Sequence, residues 1–339
     1  MYKGKAVYWL GSNKLVNGEI NIGDINKGEA VIEVKYCGIC GTDVAIYKGL
    51  HPRAKPPLIM GHEVSGIIVN VKSVAFKKGD RVVINPLISC GECFSCKMGK
   101  PNSCQNLKLI GIDKNGGFAK YLRVSVDNIY KIPDEVDFKK AALIEPFALA
   151  ARTFKKTKPH KNDLVVILGG GPIGLAIGLF FKNSGIKNIC ISEISEYRLN
   201  LLKKYGFNII NPKENQLFNE INSISEGKMA DIVIMATGSA GPVKDMVAIS
   251  KVGGLIAIVG IINEPTAADL MNIAFKELTI KGIRVYDDEN FRKAVSFVSE
   301  NSDILNYYVS NIFPIDVLEE AIKAAANSDK TAKILMRIA

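Results

Sequence analysis

Two hydrophobic rhythms alternate through the second half of the chain. Short, dense runs recur as "LVVIL" at residues 164–168, "NICIS" at 188–192, "FNII" at 207–210, "ADIVIMAT" at 230–237 and "GLIAIVGI" at 254–261. Most are rich in β-branched residues, and a run apolar at nearly every position suits a strand covered on both faces. Between these runs lie stretches with helical spacing, such as "ENQLFNEINSIS" at 214–225 and "PVKDMVAIS" at 242–250. Alternation of this kind predicts an α/β fold with a doubly wound parallel sheet. Residues 164–181 carry no charge over a length that raises the question of a membrane span. Their centre reads "GGGP", which suits a turn from strand to helix better than a continuous spanning helix.

That turn carries chemistry. Gly169, Gly171 and Gly174 stand at G-x-G-x-x-G spacing directly after the first strand. The first glycine makes the tight turn, the second admits a pyrophosphate and the third lets the helix pack on the strand. Pro172 suits the first helical position, where no N–H is needed. Phosphates would sit on the exposed N–H groups of that helix. A glycine motif alone is weak evidence, but this one has a strand before it and a helix after. The next strand ends at Glu193, about twenty residues on, where an acid holds the adenosine ribose hydroxyls and repels a 2′-phosphate. This favours NAD over NADP, while the nearby Arg198 is a group that accepts a phosphate.

The chain has 339 residues, enough for two domains, and 47% are hydrophobic, which excludes a disordered chain. The formal net charge is +10, yet the lysines are scattered singly and in pairs. That reads as a solvated basic surface before it reads as a nucleic-acid or membrane site. The first ten residues contain two lysines and no apolar core, so no secretory signal is visible and the chain reads as soluble and cytoplasmic. Six of the seven cysteines precede residue 105. In a reducing compartment such clustering points to metal rather than disulfides.

Cys90, Cys93, Cys96 and Cys104 follow the pattern C-x2-C-x2-C-x7-C. Four thiolates complete a tetrahedral zinc site with no open position, and a closed site stabilises a fold without binding substrate. Short C-x2-C runs also ligate iron–sulfur clusters, which is the main competing reading. A nucleic-acid zinc ribbon pairs two separated C-x2-C knuckles, which this is not.

A second donor set lies upstream in "CGICGTD" at 37–43 and "MGHEVSG" at 60–66. Cys40, His62 and Glu63 offer a thiolate, an imidazole and a carboxylate; three protein ligands with one open position are what a catalytic zinc needs. A lone histidine is more often a satisfied core residue, but a His–Glu pair between glycines after a glycine-flanked cysteine is harder to dismiss. Glu145, inside the apolar "ALIEPFALA", is a further candidate, because burying an acid without a partner is expensive; a helix N-terminal carboxylate is its equally weighted alternative. Cys37 reads as a small apolar filler.

The ordered set "CGICGTD", "GHEVSG", "GDRVVINP", the four-cysteine lobe, "GGFAKYL", "IEPFALA", "GGGPIG" and Glu193 resembles the zinc-dependent medium-chain dehydrogenase/reductase family over nearly the whole chain. Within it, the resemblance is strongest to sorbitol and other polyol dehydrogenases and to threonine dehydrogenase. It implies a GroES-like β-barrel catalytic domain over residues 1–152, with a structural zinc lobe at 86–106. A Rossmann NAD-binding domain would span 153–284, and 285–339 would complete the catalytic domain. It implies two zinc ions per chain, with Cys40 and His62 as catalytic ligands and Glu63 and Glu145 as carboxylates at or next to the metal. Asp43 would support these ligands, and Thr42 would hydrogen-bond the substrate oxygen. Ile173, Glu193, Arg198, the loop Val259, Gly260 and Ile261, and the pair Ile283 and Arg284 would contact NAD. A homodimer or homotetramer is implied, built through the Rossmann sheets. Many relatives keep a histidine three residues after the threonine as a proton relay; here that residue is Ala45. His51 is nearby but reads as a bystander, and Glu145 or a chain of waters is the preferred exit.

The expected activity is hydride transfer from a secondary hydroxyl of a polyol, sugar or sugar acid to NAD, giving a ketone. A threonine dehydrogenase is the alternative within the same fold. A non-catalytic zinc protein that binds nucleic acid is the remote one; it leaves the glycine motif and Glu193 without a purpose.

Overall fold

A computed structural model of the protein describes residues 1–327 and 329–339. The chain divides into two compact units, Met1–Glu145 with Asp287–Ala339, and Pro146–Tyr286. The first break falls at 145/146, where the sequence alone suggested 152/153. The helix Ile144–Thr157 explains the difference: Phe154 stacks edge-on against Phe180 and Phe181 of the helix Pro172–Asn183, so nearly all of it belongs with the second unit.

The second unit is a six-stranded sheet. In spatial order its strands are Asn208–Ile210, Asn188–Ser192, Leu164–Leu168, Ala230–Met235, Ser250–Ile258 and Thr279–Gly282, all parallel. Numbered within the unit, that is the order 3-2-1-4-5-6, whose reversal beside the first strand opens a crevice at the strands' carboxyl ends. All five residues of Leu164–Leu168 are buried, as expected of a strand covered on both faces. The register Leu168↔Met235↔Ile258↔Gly282 ends four strands in line. Gly169, Val259 and Ile283 therefore start from one edge of one sheet. Among the described residues no helix is long and apolar enough to cross a membrane.

The first unit is built on the long strand Glu29–Ile39. It pairs antiparallel with Glu63–Val71 on one side, and with Lys333–Arg337 and Tyr121–Ser125 elsewhere along its length. Arg81–Ile84, Ile129–Lys131 and Val309–Pro314 complete a seven-stranded sheet. The C-terminal segment thus supplies two strands to a sheet whose other members lie about two hundred residues earlier in the chain. Its register sets Gly38 opposite both Glu63 and Leu335. The cysteine lobe projects from this unit between the short strands Leu87–Ile88 and Lys108–Leu109.

Candidate active site and metal centres

The chain enters the helix Gly41–Tyr47 through Cys40, which is extended at φ −106°. Asp43, in the helix's first turn, accepts the Cys40 backbone N–H at 2.8 Å and the Gly61 N–H at 3.2 Å. One buried carboxylate therefore ties the thiol-bearing turn to the segment that carries His62 and Glu63. The donor atoms of Cys40, His62 and Glu63 all lie within 4.8 Å of one another. Thr42 sits beside them, with its hydroxyl 3.7 Å from the Cys40 sulfur.

Glu63 lies on the first residue of its strand, opposite Gly38. A Cβ built on Gly38 would stand 1.8 Å from Glu63 Oε2, so only glycine lets the carboxylate pass across the neighbouring strand. On the far side it meets Lys333. Lys333 is fully buried, donates to the Ile39 carbonyl at 2.9 Å and to Glu63 Oε1, and forms an ion pair with Glu63 Oε2. Nothing in the sequence reading singled out Lys333. Its signal was one charged residue inside the apolar run "TAKILM", in a strand that would otherwise be pure core.

The electrostatics describe a site short of a cation. Burial alone would push the His62 imidazole down, but Asp43, the Cys40 thiol and Glu145 outweigh it and hold it well above its ordinary value. Lys333 behaves alike: burial opposes its charge, and Glu63, Cys40 and Glu145 keep it protonated. Asp43 is lifted by burial against the pull of His62 and the Cys40 N–H. One buried atom in the cluster, His62 Nδ1, accepts or donates no hydrogen bond, and it faces Asp43 Oδ1 at 3.8 Å. A carboxylate behind one ring nitrogen leaves the other for a metal. A thiolate, an imidazole and a carboxylate suit one divalent ion of the zinc class. Glu145, in the first turn of Ile144–Thr157, lies outside that trio of donors but acts on both His62 and Lys333. Cys37 is elsewhere: its sulfur is buried against the backbone at Gly61 and Gly117, and burial pushes its thiol far up.

The second cluster is Cys90, Cys93, Cys96 and Cys104. The sulfur separations run 3.4 Å for Cys90–Cys104, 3.5 Å for Cys93–Cys96, 3.9 Å for Cys93–Cys104 and 4.0 Å for Cys90–Cys96. A tetrahedron of Zn–S bonds has edges of roughly 3.8 Å. These spacings suit a single ion and are too tight for a multi-iron cluster. Backbone N–H groups from Cys96 and Gln105 draw the Cys93 thiol down to about 6, whereas burial and Cys93 push Cys96 up to about 12.

In the second unit the glycine turn has the required geometry. Gly169 has φ +103°, and a Cβ on Gly174 would stand 1.9 Å from the Gly169 carbonyl. Pro172 and Ile173 open the helix Pro172–Asn183. The Glu193 carboxylate is buried and accepts N–H groups from Gly170 at 2.9 Å, Ile194 at 2.7 Å and Ser195 at 3.0 Å. Arg198 Nη1 lies 3.8 Å from Glu193 and 3.3 Å from where a Gly171 Cβ would be. Val259, Gly260, Ile261, Ile283 and Arg284 follow the neighbouring strands at the same sheet edge, with Gly260 packed on Thr237 and Ile261 exposed.

The chain resembles known proteins in sequence and in fold. Residues 26–134 match the model of the alcohol dehydrogenase GroES-like domain, and 172–300 that of the zinc-binding dehydrogenase. The chain is 33% identical over 305 residues to 2-dehydro-3-deoxy-L-galactonate 5-dehydrogenase of Pseudoalteromonas atlantica, covering 89% of this chain and 88% of that one. The protein belongs to the zinc-dependent medium-chain dehydrogenase family. A second family member, the L-threonine 3-dehydrogenase of Bacillus subtilis, is 32% identical over 330 residues, covering 94% and 93% of the two chains. The crystal structure of the alcohol dehydrogenase RspB of Escherichia coli CFT073, in complex with NADH, superposes with a TM-score of 0.91 at 29% identity and covers 99% of each chain. As a dehydrogenase of this family, the protein is a zinc-dependent oxidoreductase that converts a CH–OH group to a carbonyl.

Proposed function

We propose that the substrate is a secondary alcohol of the polyol, sugar or sugar-acid class, that NAD takes the hydride, and that each chain holds two zinc ions. The observation that carries the reading is the clustered trio Cys40, His62 and Glu63, with its excess of negative charge. Zinc held there supplies Lewis-acid polarisation of the hydroxyl oxygen. The chain's own groups do the rest. Asp43 fixes the Cys40 turn and the His62 segment. The Thr42 hydroxyl, beside the Cys40 sulfur, accepts the hydrogen bond of the substrate hydroxyl. Lys333 holds Glu63 and balances its charge, and Glu145 is the further carboxylate of the site. The N–H groups at the start of Pro172–Asn183 take the pyrophosphate. Ile173, Val259, Gly260, Ile261, Ile283 and Arg284 line the cofactor's bed, and Glu193 meets the adenosine ribose. The four lobe cysteines hold the structural ion.

Glu193 is the basis for NAD over NADP. Its oxygens already take three backbone N–H groups, so the carboxylate is held in place where it would oppose a 2′-phosphate. Glu193→Ala should weaken both cofactors but raise NADP use relative to NAD; equal wild-type efficiency with both would sink the assignment. Association through the edge strand Thr279–Gly282 is supported by exposed Leu270, Met271, Phe275 and Ile280 around it, which suits a homodimer or a homotetramer built from it. Seven unpaired cysteines fit a reducing, cytoplasmic setting. The deciding experiment is NAD reduction by the zinc-loaded enzyme across alditols, sugars, sugar acids and L-threonine. The similarity to a threonine dehydrogenase makes threonine the second reading, and turnover of threonine alone would overturn the first.

A further inference from the structure

The segment after the helix Gly41–Tyr47, residues 51–57, reads "HPRAKPP" and carries two donors that the mechanism above leaves unused. His51 Nδ1 accepts backbone N–H groups from Arg53 at 3.3 Å and Ala54 at 3.2 Å. An imidazole whose Nδ1 accepts must, when neutral, carry its proton on Nε2. Among the described residues Nε2 has no hydrogen-bond partner. Burial and the Arg53 guanidinium hold His51 below its ordinary value, so near neutral pH the ring is an uncharged N–H donor of fixed tautomer.

Arg53 is also half used. Its Nη1 donates to the Leu107 carbonyl at 2.6 Å and lies 3.3 Å from Asp113 Oδ2. Asp113 Oδ2 in turn accepts the Leu109 N–H at 2.8 Å. Among the described residues Nε and Nη2 of Arg53 have no partner. The loop that anchors it is braced against the metal-binding segment, because a Cβ on Gly111 would stand 2.4 Å from the Gly61 carbonyl. A donor-only pair is thus tied, through the loop carrying Leu107 and Asp113, to the segment that bears His62, and is held by its own backbone and by Asp113.

We infer that His51 and Arg53 read a carboxylate on the substrate, so that the preferred alcohol is a hydroxy acid, its acid group bound by Arg53 and His51 while a carbinol further along reacts. This rests on the dehydrogenase reading of the neighbouring site. The chemistry favours an acid over a neutral polyol. Three unpaired N–H positions and no free acceptor among them suit a group that only accepts, and a guanidinium fork meets a carboxylate with two parallel hydrogen bonds. Asp113 holds the fork through Nη1 and leaves Nε and Nη2 for a ligand. The carboxylate has two sources, a sugar acid or the amino acid threonine, and the sugar acid is the one the proposed function already includes.

The test compares kcat/KM for D-gluconate and L-galactonate with that for sorbitol and galactitol, and includes L-threonine, on zinc-loaded wild type, Arg53→Gln, Arg53→Lys and His51→Asn. Melting temperature and metal content serve as controls for folding. The expected result is a wild-type preference for the acids that falls about 100-fold in Arg53→Gln, mostly through KM, and about tenfold in His51→Asn. Arg53→Lys should recover part of it. A threonine-only activity that collapses in Arg53→Gln would uphold the carboxylate site and overturn the polyol reading. Turnover of alditols but not acids, or an acid-to-alditol ratio indifferent to Arg53→Gln, overturns the inference and leaves the polyol reading standing. If nothing in the panel is oxidised, the proposed function fails. Calorimetric titration with gluconate then decides the inference alone: binding lost in Arg53→Gln upholds it, and no binding, or binding that ignores the substitution, overturns it.

Discussion

The two donor clusters of this molecule, proposed above as metal centres, are built in opposite ways. The cysteine lobe draws all its donors from fifteen consecutive residues, carries four like groups and sits at the surface. The Cys40 site draws three unlike donors from two segments, needs Asp43 to clamp those segments together, and balances its charge with a lysine that enters from near the C-terminus. The first can be assembled by local chain alone. The second exists only when the long strand Glu29–Ile39 has both neighbours in register. One therefore needs little of the rest of the fold and, with four thiols, offers an ion a closed set of donors; the other depends on the whole sheet and, with three donors, leaves room for a fourth.

The sharpest way to break the comparison is to remove one sulfur from each centre. Cys40→Ser should lower turnover by roughly 10³-fold or more, since several kcal/mol of charge stabilisation are lost, while the melting temperature changes little. Cys93→Ser should do the reverse, lowering the melting temperature or preventing assembly while any correctly folded fraction keeps its rate. Metal analysis should give two zinc ions per wild-type chain and one per chain in each variant. Similar losses of rate and stability in both variants would erase the proposed division of roles.

The next largest effect concerns the ion pair that only one centre has. Lys333→Met leaves Glu63 buried without its cation, which should destabilise the metal-free protein by about 3–5 kcal/mol in denaturant unfolding. The double variant Lys333→Met with Glu63→Gln should recover much of that, because a neutral pair needs no counter-charge. Bound zinc should also soften the single substitution, since it supplies the missing positive charge. An additive double variant would show that the lysine matters for packing alone.

The same contrast decides what could be read from sequence. The lobe was legible because its spacing is its structure, and the sulfur distances follow from C-x2-C-x2-C-x7-C. The glycine turn and Glu193 were legible for the same reason, each lying within one strand–turn–helix unit. Cys40 and His62 could be proposed from residue type and flanking glycines, but their proximity depends on Asp43 reaching across to Gly61. Lys333 and Gly38 were not legible. Their meaning lies in a cross-strand register between residues nearly three hundred apart, and no local rhythm encodes which strand of the C-terminal segment pairs with Glu29–Ile39. The compact units part seven residues before the break read from the sequence, because the aromatic packing of the helix Ile144–Thr157 lies with the second unit.

A smaller effect separates the sulfurs within the lobe. In metal-free protein the Cys93 thiol is drawn down to about 6 and Cys96 is pushed up to about 12. A thiol depressed in the folded state contributes stability above its unfolded value near 9 and loses it as pH falls through about 6. A raised thiol works oppositely, its contribution being present below 9 and fading as pH climbs toward 12. Alkylation of the metal-free protein at pH 7, followed by mass spectrometry, should therefore modify Cys93 first and Cys96 last. Zinc should protect both, and protection should weaken on acidification, because protons compete for the same sulfurs. Equal alkylation rates at the two positions would contradict this asymmetry.

The smallest expected effect concerns the proton that leaves the Cys40 site, a step the closed lobe never faces. Ala45 stands on the helix Gly41–Tyr47 where many relatives keep an imidazole, and His51 is the nearby candidate to replace it. The geometry argues against His51 as a shuttle. A ring that relays must pass a proton in at one nitrogen and out at the other, and both backbone N–H groups at Nδ1 would have to be displaced. The ring is also held below its ordinary value, so it is neutral at pH 7, and any stability it lends is present above about 6.5 and lost only as pH falls through its lowered value. His51→Ala should thus leave the neutral region of the pH–rate profile unchanged in shape, whatever it does to substrate preference. Ala45→His should add a limb near 6.5, the signature of an imidazole in the exit path. Glu145→Gln, read only in protein that keeps its zinc, should slow oxidation across the range, since Glu145 acts on both His62 and Lys333. If His51→Ala instead removes a neutral-pH limb present in the wild type, the two backbone hydrogen bonds must open during turnover and His51 is the relay after all.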